Sequence, residues 1–472
     1  MRVLLYSLAF PFFGNVDENM HFDLVMKYAR GDIPLGVQGV SPDTTPFLMQ
    51  YSSPEFLFTG EHFDDGKIPL PPWRQPENEA RSLPKNSWSH ANNFESSQPP
   101  LYYILAGLWL RAGEAAGLGG LPLLYWIRIL NVFLAISLVR LAFAVSRAVF
   151  PQDQFMRFGV PMVVALLPQD AFYSLQNDVL SPLCFGSTFL LLIRWWQQEA
   201  PRSCLGILLG LAIAATFLTK VTNRPFAIMA LLVLLWKFFT AARSGTAQVQ
   251  VRPMVAVLLC TAAPVAVWLG WTDYGFGDFT GAADKIHYLG WKEKSFFEMW
   301  SHPIFTADGL CTFLSDLFVS FWRGELTWHG KRLAMPSADF LYAISSLVFI
   351  IFATAGIRGL APKQSGRREL LFSLGVVTIG VASLAFLSIR FDFGQCFYPS
   401  RAYPYFTSGR LLIGMLIPFA LLYVFGVKYA VHRLNSTWLP MSILAGILIF
   451  SVGSEILVNR VVFSSEYNWF HR

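Results

Sequence analysis

The sequence predicts an all-α polytopic membrane protein, and three observations carry that prediction. Hydrophobic residues make up 54% of the 472 and charged ones only 14%, with a mean hydropathy of +0.45. Soluble domains carry about 25% charged residues. Several runs reach the roughly 20 apolar residues that cross a bilayer core. The basic residues then concentrate in alternate loops, as cytoplasmic loops do. The pI near 9.0 is therefore loop basicity and not the footprint of a nucleic-acid partner. No internal repeat and no separate soluble domain interrupts the pattern, so residues 1–472 read as one integral-membrane domain.

Hydropathy places eleven spans, at 1–13, 123–150, 158–175, 179–196, 204–219, 225–241, 253–271, 340–356, 370–389, 411–427 and 438–458. One set of short loops holds Arg140, Arg147 and Arg157, then Arg194 and Arg202, then Lys237, Arg243 and Arg252. It continues with Arg358, Lys363, Arg367 and Arg368, then Lys428 and Arg433; only Asp153, Glu199 and Glu369 oppose them. That side is assigned to the cytoplasm. The scheme requires 98–117, which opens on a Pro pair and carries Arg111 and Glu114, to be a juxtamembrane helix. As a full crossing it would move Arg140, Arg147 and Arg157 outside. The first span is too short to cross about 30 Å and contains Arg2. No small-residue cleavage site precedes Asp17, so a native start upstream of Met1 is expected.

Three long pieces then face outside, at 14–122, 272–339 and 390–410, and are expected to form the active-site layer. In the first, "ENMHFDLVMKYARG" has helical spacing with Gly31 as its stop, whereas 40–97 reads as partly mobile. In the second, Leu310, Phe313, Leu314, Leu317, Phe318 and Phe321 share one helix face. That face could pack on the span tops or meet a lipid substrate. Cys311 and Cys396 both lie outside, where a disulfide is permitted.

Ionisable residues avoid the middle of the complete spans. Arg128, Asp170 and Glu455 fall toward outer ends, and Arg140 and Arg194 toward inner ends. Ion-coupled transporters generally need midplane acids or broken helices, so chemistry at the outer interface is the better reading. The outer rim collects Asp17, Glu18 and His21 after the first span, and Asn177 and Asp178 after the third. Lys220 and Arg224 follow the fifth span; Arg401 and Arg410 precede the tenth. A carboxylate could deprotonate an acceptor hydroxyl, and fixed cations could stabilise a departing phosphate. Plainer readings stand beside these. Lys220 and Arg224 could be snorkelling anchors, and Asp178 could cap the next helix. Glu18-x-x-His21 supplies only two residues at metal-ligand spacing, and His21 reads better as a packing or orienting residue. Asp17-Glu18 has the weakest plain reading, because nothing structural requires adjacent acids at a membrane surface.

"NVDENMHF", "ESSQPPLYYIL" and "LQNDVLS" together resemble the GT-C superfamily of glycosyltransferases, which includes the protein O-mannosyltransferases and lipid A aminoarabinose transferases. "FWRGELTWHG", "MPSADFLY" and the Arg- and Tyr-rich stretch before the tenth span look closer to an uncharacterised bacterial branch of that fold. The resemblance implies a GT-C-like enzyme that takes sugar from a polyprenyl-phosphate donor at the extracytoplasmic membrane face. It places catalytic acids at Asp17, with Glu18 adjacent, and at Asp178; His21 and Asn177 would support them. Donor phosphate would meet Lys220, Arg224, Arg401 and Arg410. Members differ in their use of a divalent metal, so a metal stays open, with Asp17 and Asp178 as its holders. The acceptor, whether lipid, glycan or protein, is not implied. Two rivals remain: a polyprenyl-lipid transporter or flippase, and a non-catalytic partner in envelope polysaccharide assembly.

The topology is directly testable. Membrane-impermeant thiol reagents should label cysteines placed at 75 and 284 from outside and at 363 only from inside. Labelling of 363 from outside would reverse the scheme.

Overall fold

A computed structural model describes the chain except residues 15–16, 64, 76–90, 244, 246–247, 362–363, 365, 397, 435, 437 and 472. Part of the stretch expected to be mobile, and Lys363, lie outside the described residues. Eight helices are long and apolar enough to cross a membrane: Gly120–Val149, Asn177–Trp196, Val221–Arg243, Gln248–Phe276, Pro336–Gly359, Arg367–Arg390, Gly409–Leu434 and Trp438–Val458. Gln154–Leu166 and Ser203–Thr219 are shorter apolar helices. The chain is an integral, multi-pass membrane protein.

The expected eleven spans are therefore not all formed at full length. The first is only Arg2–Ala9, about 12 Å at 1.5 Å per residue. It stops because Phe10 precedes Pro11 and is extended (φ −70°, ψ 124°), the conformation a following proline imposes. Likewise the expected 158–175 span ends at Leu166, with Leu167 extended before Pro168. Gln169 then turns the chain: its side chain accepts from Ala171 N and donates to the Ser320 and Phe321 carbonyls at 3.0 and 2.9 Å. Two 3-10 turns, Asp170–Tyr173 and Asn177–Val179, lead into the Ser181–Trp196 helix. The expected 411–427 span opens as a 3-10 turn, Gly409–Met415, before Leu416–Ala430 becomes α-helical.

The end of the bundle that carries the long loops, called here the loop face, is built on two short helices. Glu18–Arg30 and Leu101–Ala115 pack together, with Gly107 so close that a Cβ there would lie 3.0 Å from Ala29 N. The second matches the expected juxtamembrane helix. It is tied to the Gly120–Val149 helix by a Trp109–Trp126 stack (centroids 4.4 Å apart). Each indole N–H donates to the other residue's carbonyl at 2.8 Å. The amphipathic helix Ala307–Arg323 buries Phe313, Leu317, Phe318 and Phe321, while Leu310 stays 46% exposed. Its apolar face is thus mostly packing. Cys311 and Cys396 are both free thiols, so the disulfide considered from sequence is not formed.

One interaction holds the N-terminal segment in place. Arg128 donates from Nε to Glu18 Oε1 at 2.9 Å and from Nη2 to Glu18 Oε2 at 2.7 Å. Its other donors reach the carbonyls of Ser7, Phe10 and Pro11. All five guanidinium N–H groups are used. Glu18 in turn accepts from Phe13 N at 3.0 Å and Leu175 N at 2.9 Å. The pair is buried (side chains 1% and 0% exposed). Removing one partner of such a pair typically costs about 3–5 kcal/mol, because the other charge is stranded. Glu18→Ala should therefore lower the thermal unfolding midpoint in detergent sharply, and far more than Arg74→Ala at an exposed ion pair. Equal midpoints for the two variants would contradict this.

Candidate functional site

Asp17 and Glu18 are neighbours that point apart. Asp17 takes the left-handed conformation (φ 62°, ψ 11°) just before the Glu18–Arg30 helix, and its side chain does not cap that helix. Non-glycine residues rarely adopt this conformation, Asp more readily than most. The turn sends Glu18 inward to Arg128 and leaves Asp17 facing Arg410. Arg410 Nη2 donates to Asp17 Oδ2 at 2.6 Å. Among the described residues, Asp17 Oδ1 has no hydrogen-bond partner.

Arg410 is the hub. Its Nη1 donates to Gln176 Oε1 at 3.1 Å and Asp178 Oδ2 at 3.4 Å, and its Nε lies 3.6 Å from Glu325 Oε2. Asp178 also pairs with the Lys220 ammonium. Burial pushes Lys220 below its ordinary pKa, against the pull of Asp178. Three carboxylates and two cations thus meet where five parts of the chain converge. Asp178, Glu325 and Lys220 are buried, and Asp17, at 24% exposure, is the most open acid.

Two glycines make this convergence possible. Gly324 has φ 83° and ψ −156°, and a Cβ there would lie 1.9 Å from Asp170 Oδ1. The bare backbone lets Asp170 Oδ2 accept from Glu325 N and Leu326 N, both at 2.8 Å, which aims Glu325 inward. Gly409 sits so close to the Ala307–Arg323 helix that a Cβ would meet Phe321 N at 2.1 Å, and its N–H donates to Ser320 Oγ at 2.8 Å. Ser408, one residue earlier, donates to Glu325. Sequence reasoning passed over Glu325, although "FWRGELTWHG" contains it; the available signal was an acid directly after a glycine in an aromatic loop.

The supporting residues form a second layer. His21 Nδ1 is 2.8 Å from the Tyr103 hydroxyl of "PPLYY". Burial pushes the His21 pKa down to about 4, although Glu95 and Asp17 oppose the shift, so the imidazole is neutral at pH 7. Asn177 donates to Gln98 Oε1 at 3.2 Å, and Gln98 to Glu95 Oε2 at 2.6 Å. Glu95 is itself paired with Lys285. "ESSQPPLYYIL" therefore buttresses the 177–178 turn from the opposite side.

The four expected phosphate cations fare differently. Lys220 and Arg410 lie in the cluster. Arg224, first residue of the Arg224–Arg243 helix, has Nε and Nη2 buried without a hydrogen-bond partner among the described residues. Its guanidinium lies over the Phe217 ring, 5.0 Å from the centroid. Arg401 is elsewhere: 72% exposed and paired with Asp392 at 2.7 Å. It lines a separate open cavity of about 660 Å³ with Tyr288, Lys292 and Cys396. The arrangement does not fit a divalent metal, because Asp17 and Asp178 are both engaged by cations. Among the described residues, no three His, Cys, Asp or Glu side chains are grouped to hold an ion.

Solved structures with a similar helix arrangement are remote in sequence. The Archaeoglobus fulgidus oligosaccharyltransferase in complex with Zn and sulfate shares 10% identity at a TM-score of 0.41, over 78% of this chain and 44% of that one. The archaeal oligosaccharyltransferase AglB from the same organism, with an inhibitory peptide and a dolichol-phosphate, shares 10% at 0.46, over 98% and 55%. ArnT from Cupriavidus metallidurans, bound to undecaprenyl phosphate, shares 12% at 0.43, over 99% and 75%. The chain spans about half the length of the archaeal enzymes it matches. No curated protein sequence matches it. The sequence-family model described as "Predicted membrane protein (DUF2142)" matches residues 2–394. The chain belongs to this DUF2142 family of membrane proteins.

Proposed function

We propose that this protein is an inverting glycosyltransferase that moves sugar from a polyprenyl-phosphate donor to an acceptor hydroxyl at the extracytoplasmic membrane face. The observation that carries the reading is the meeting of Asp17, Asp178 and Glu325 on Arg410 at the loop face, with Asp17 alone among them partly open. In this reading Asp17 is the general base and takes the acceptor proton on Oδ1 as the sugar–phosphate bond breaks. Arg410 holds the other oxygen and fixes the carboxylate's direction. Asp178 positions Arg410 and Lys220, and Glu18 positions Asp17 through its bond to Arg128. Neutral His21 and Asn177 brace the same wall.

The leaving phosphate needs a cation whose donors are free. Arg410 commits both terminal nitrogens to Asp17, Gln176 and Asp178, leaving only Nε without a hydrogen bond, and Lys220 is paired with Asp178, whereas Nε and Nη2 of Arg224 are both buried without a partner among the described residues. Arg224 is therefore the first choice for the donor phosphate, with Lys220 beside it in sequence. Arg401, exposed and paired outside the cluster, ranks last.

Purified protein in vesicles, given a polyprenyl-phosphate sugar and an acceptor lipid extract, tests these roles. Asp17→Asn should keep donor binding and lose about 10²- to 10⁴-fold in turnover. Arg224→Gln should weaken donor binding by roughly 10- to 100-fold, since a hydrogen bond to a charged group contributes about 1.5–3 kcal/mol. Arg401→Gln should change neither quantity. Full turnover in a folded Asp17→Asn protein would remove Asp17 from the chemistry.

The pH response follows from His21. Its folded pKa lies below the ordinary 6.5, so the unfolded chain binds the proton more readily and acid destabilises the fold. The stability difference between wild type and His21→Gln should be constant above pH 6.5 and shift against wild type as pH falls toward 4. A flat difference across that window would mean that His21 titrates normally.

A further inference from the structure

The second long loop contains "FFEMWSHPIF", residues 296–305. Phe296, Phe297, Trp300 and Phe305 are 67%, 85%, 61% and 51% exposed. They form one cluster: ring centroids lie 5.8 Å apart for Phe296–Phe297, 6.1 Å for Phe296–Trp300 and 5.1 Å for Trp300–Phe305. A contiguous uncovered aromatic patch of this kind marks an interaction surface.

The patch is held rigidly from behind. His302 is buried; its Nδ1 accepts from Ile304 N at 3.0 Å, which leaves Nε2 to donate to Pro404 O at 3.0 Å. Ile304 packs inward, so the chain turns its two apolar faces in opposite directions. Glu298 is the one acid of the stretch, and its carboxylate folds back to accept from Ser295 N at 2.7 Å. Thr306 then caps the Ala307–Arg323 helix through Gly309 N at 3.0 Å.

The fold fixes the depth of the patch. Strand Lys292–Glu293 pairs with Phe391–Asp392, which directly follows the membrane-crossing helix Arg367–Arg390. Lys294 N donates to Arg390 O, the last carbonyl of that helix, at 2.8 Å. Phe296 is two residues further on, so the cluster lies where the hydrocarbon ends. Aromatic side chains concentrate at that level in membrane proteins, and exposed Lys292 adds a positive charge suited to lipid phosphates. We propose that residues 296–305 form an interfacial anchor whose aromatic face is seated in the phospholipid headgroup region of the leaflet at the loop face. The inference stands independently of the glycosyl-transfer reading.

The test uses the full chain with Cys204, Cys260, Cys311 and Cys396 replaced by Ser. Phe297→Cys and, as a water-facing reference, Lys331→Cys are labelled with a polarity-sensitive fluorophore and reconstituted into zwitterionic phospholipid vesicles. The 297 label should emit to the blue of the 331 label, be quenched by lipids spin-labelled near the headgroup, and be shielded from aqueous iodide. Equal iodide quenching at both positions, without lipid quenching, would overturn the proposal. A shielded 297 label that lipid quenchers do not reach would also overturn it, because protein, a second copy included, would then cover the face.

Discussion

A guanidinium cannot be buried alone. Removing Arg410 from water costs several kcal/mol unless anions and acceptors replace its hydration. Here the replacements come from distant parts of the chain: Asp17, Gln176, Asp178 and Glu325. Each must arrive with the right geometry, and much of the loop-face architecture exists to deliver them. The broken helix after Leu166 brings Gln176 and Asp178, and the Glu18–Arg128 pair sets the turn at Asp17. Gly324 lets Glu325 point inward, and Gly409 lets Arg410 approach.

That dependence separates two roles the sequence could not distinguish. The two acids of the "DE" pair are adjacent in sequence, yet Glu18 is buried and committed to holding the fold together. Asp17 carries a strained backbone and a partly open carboxylate. In the proposed reading, that strain and exposure beside a buried cation mark Asp17 as the reactive one of the two. The same contrast separates the cations. Arg410 has both terminal nitrogens engaged and only Nε without a hydrogen bond, whereas Arg224 has Nε and Nη2 both buried without a partner among the described residues.

Much of this was legible in the sequence, for identifiable reasons. Span-length apolar runs from 123 to 458 became helices because lipid leaves a backbone few alternatives. The predicted and observed limits of Trp438–Val458 coincide. The run 158–175 misled because hydropathy does not register that Pro168 and Gln169 break the helix and redirect the chain. Asp17, Asp178, Lys220 and Arg410 read from the sequence as rim charges, and these four meet in space. Arg401 had the same composition signal, but its partner is the nearby Asp392, nine residues away in sequence. Glu325 went unseen because its placement depends on Asp170 gripping the backbone across 155 residues, which no local pattern reveals.

Cleavage of a sugar–phosphate bond at the loop-face cluster is what separates the proposed enzyme from a lipid carrier. The most direct measurement is a single-turnover incubation of the wild-type protein with an acceptor lipid extract and a polyprenyl-phosphate sugar of known anomeric configuration, following lipid and sugar separately. Stoichiometric release of polyprenyl phosphate is expected, with a product whose anomeric configuration is opposite to the donor's. Donor recovered intact, whether merely bound or carried across the bilayer, would contradict it.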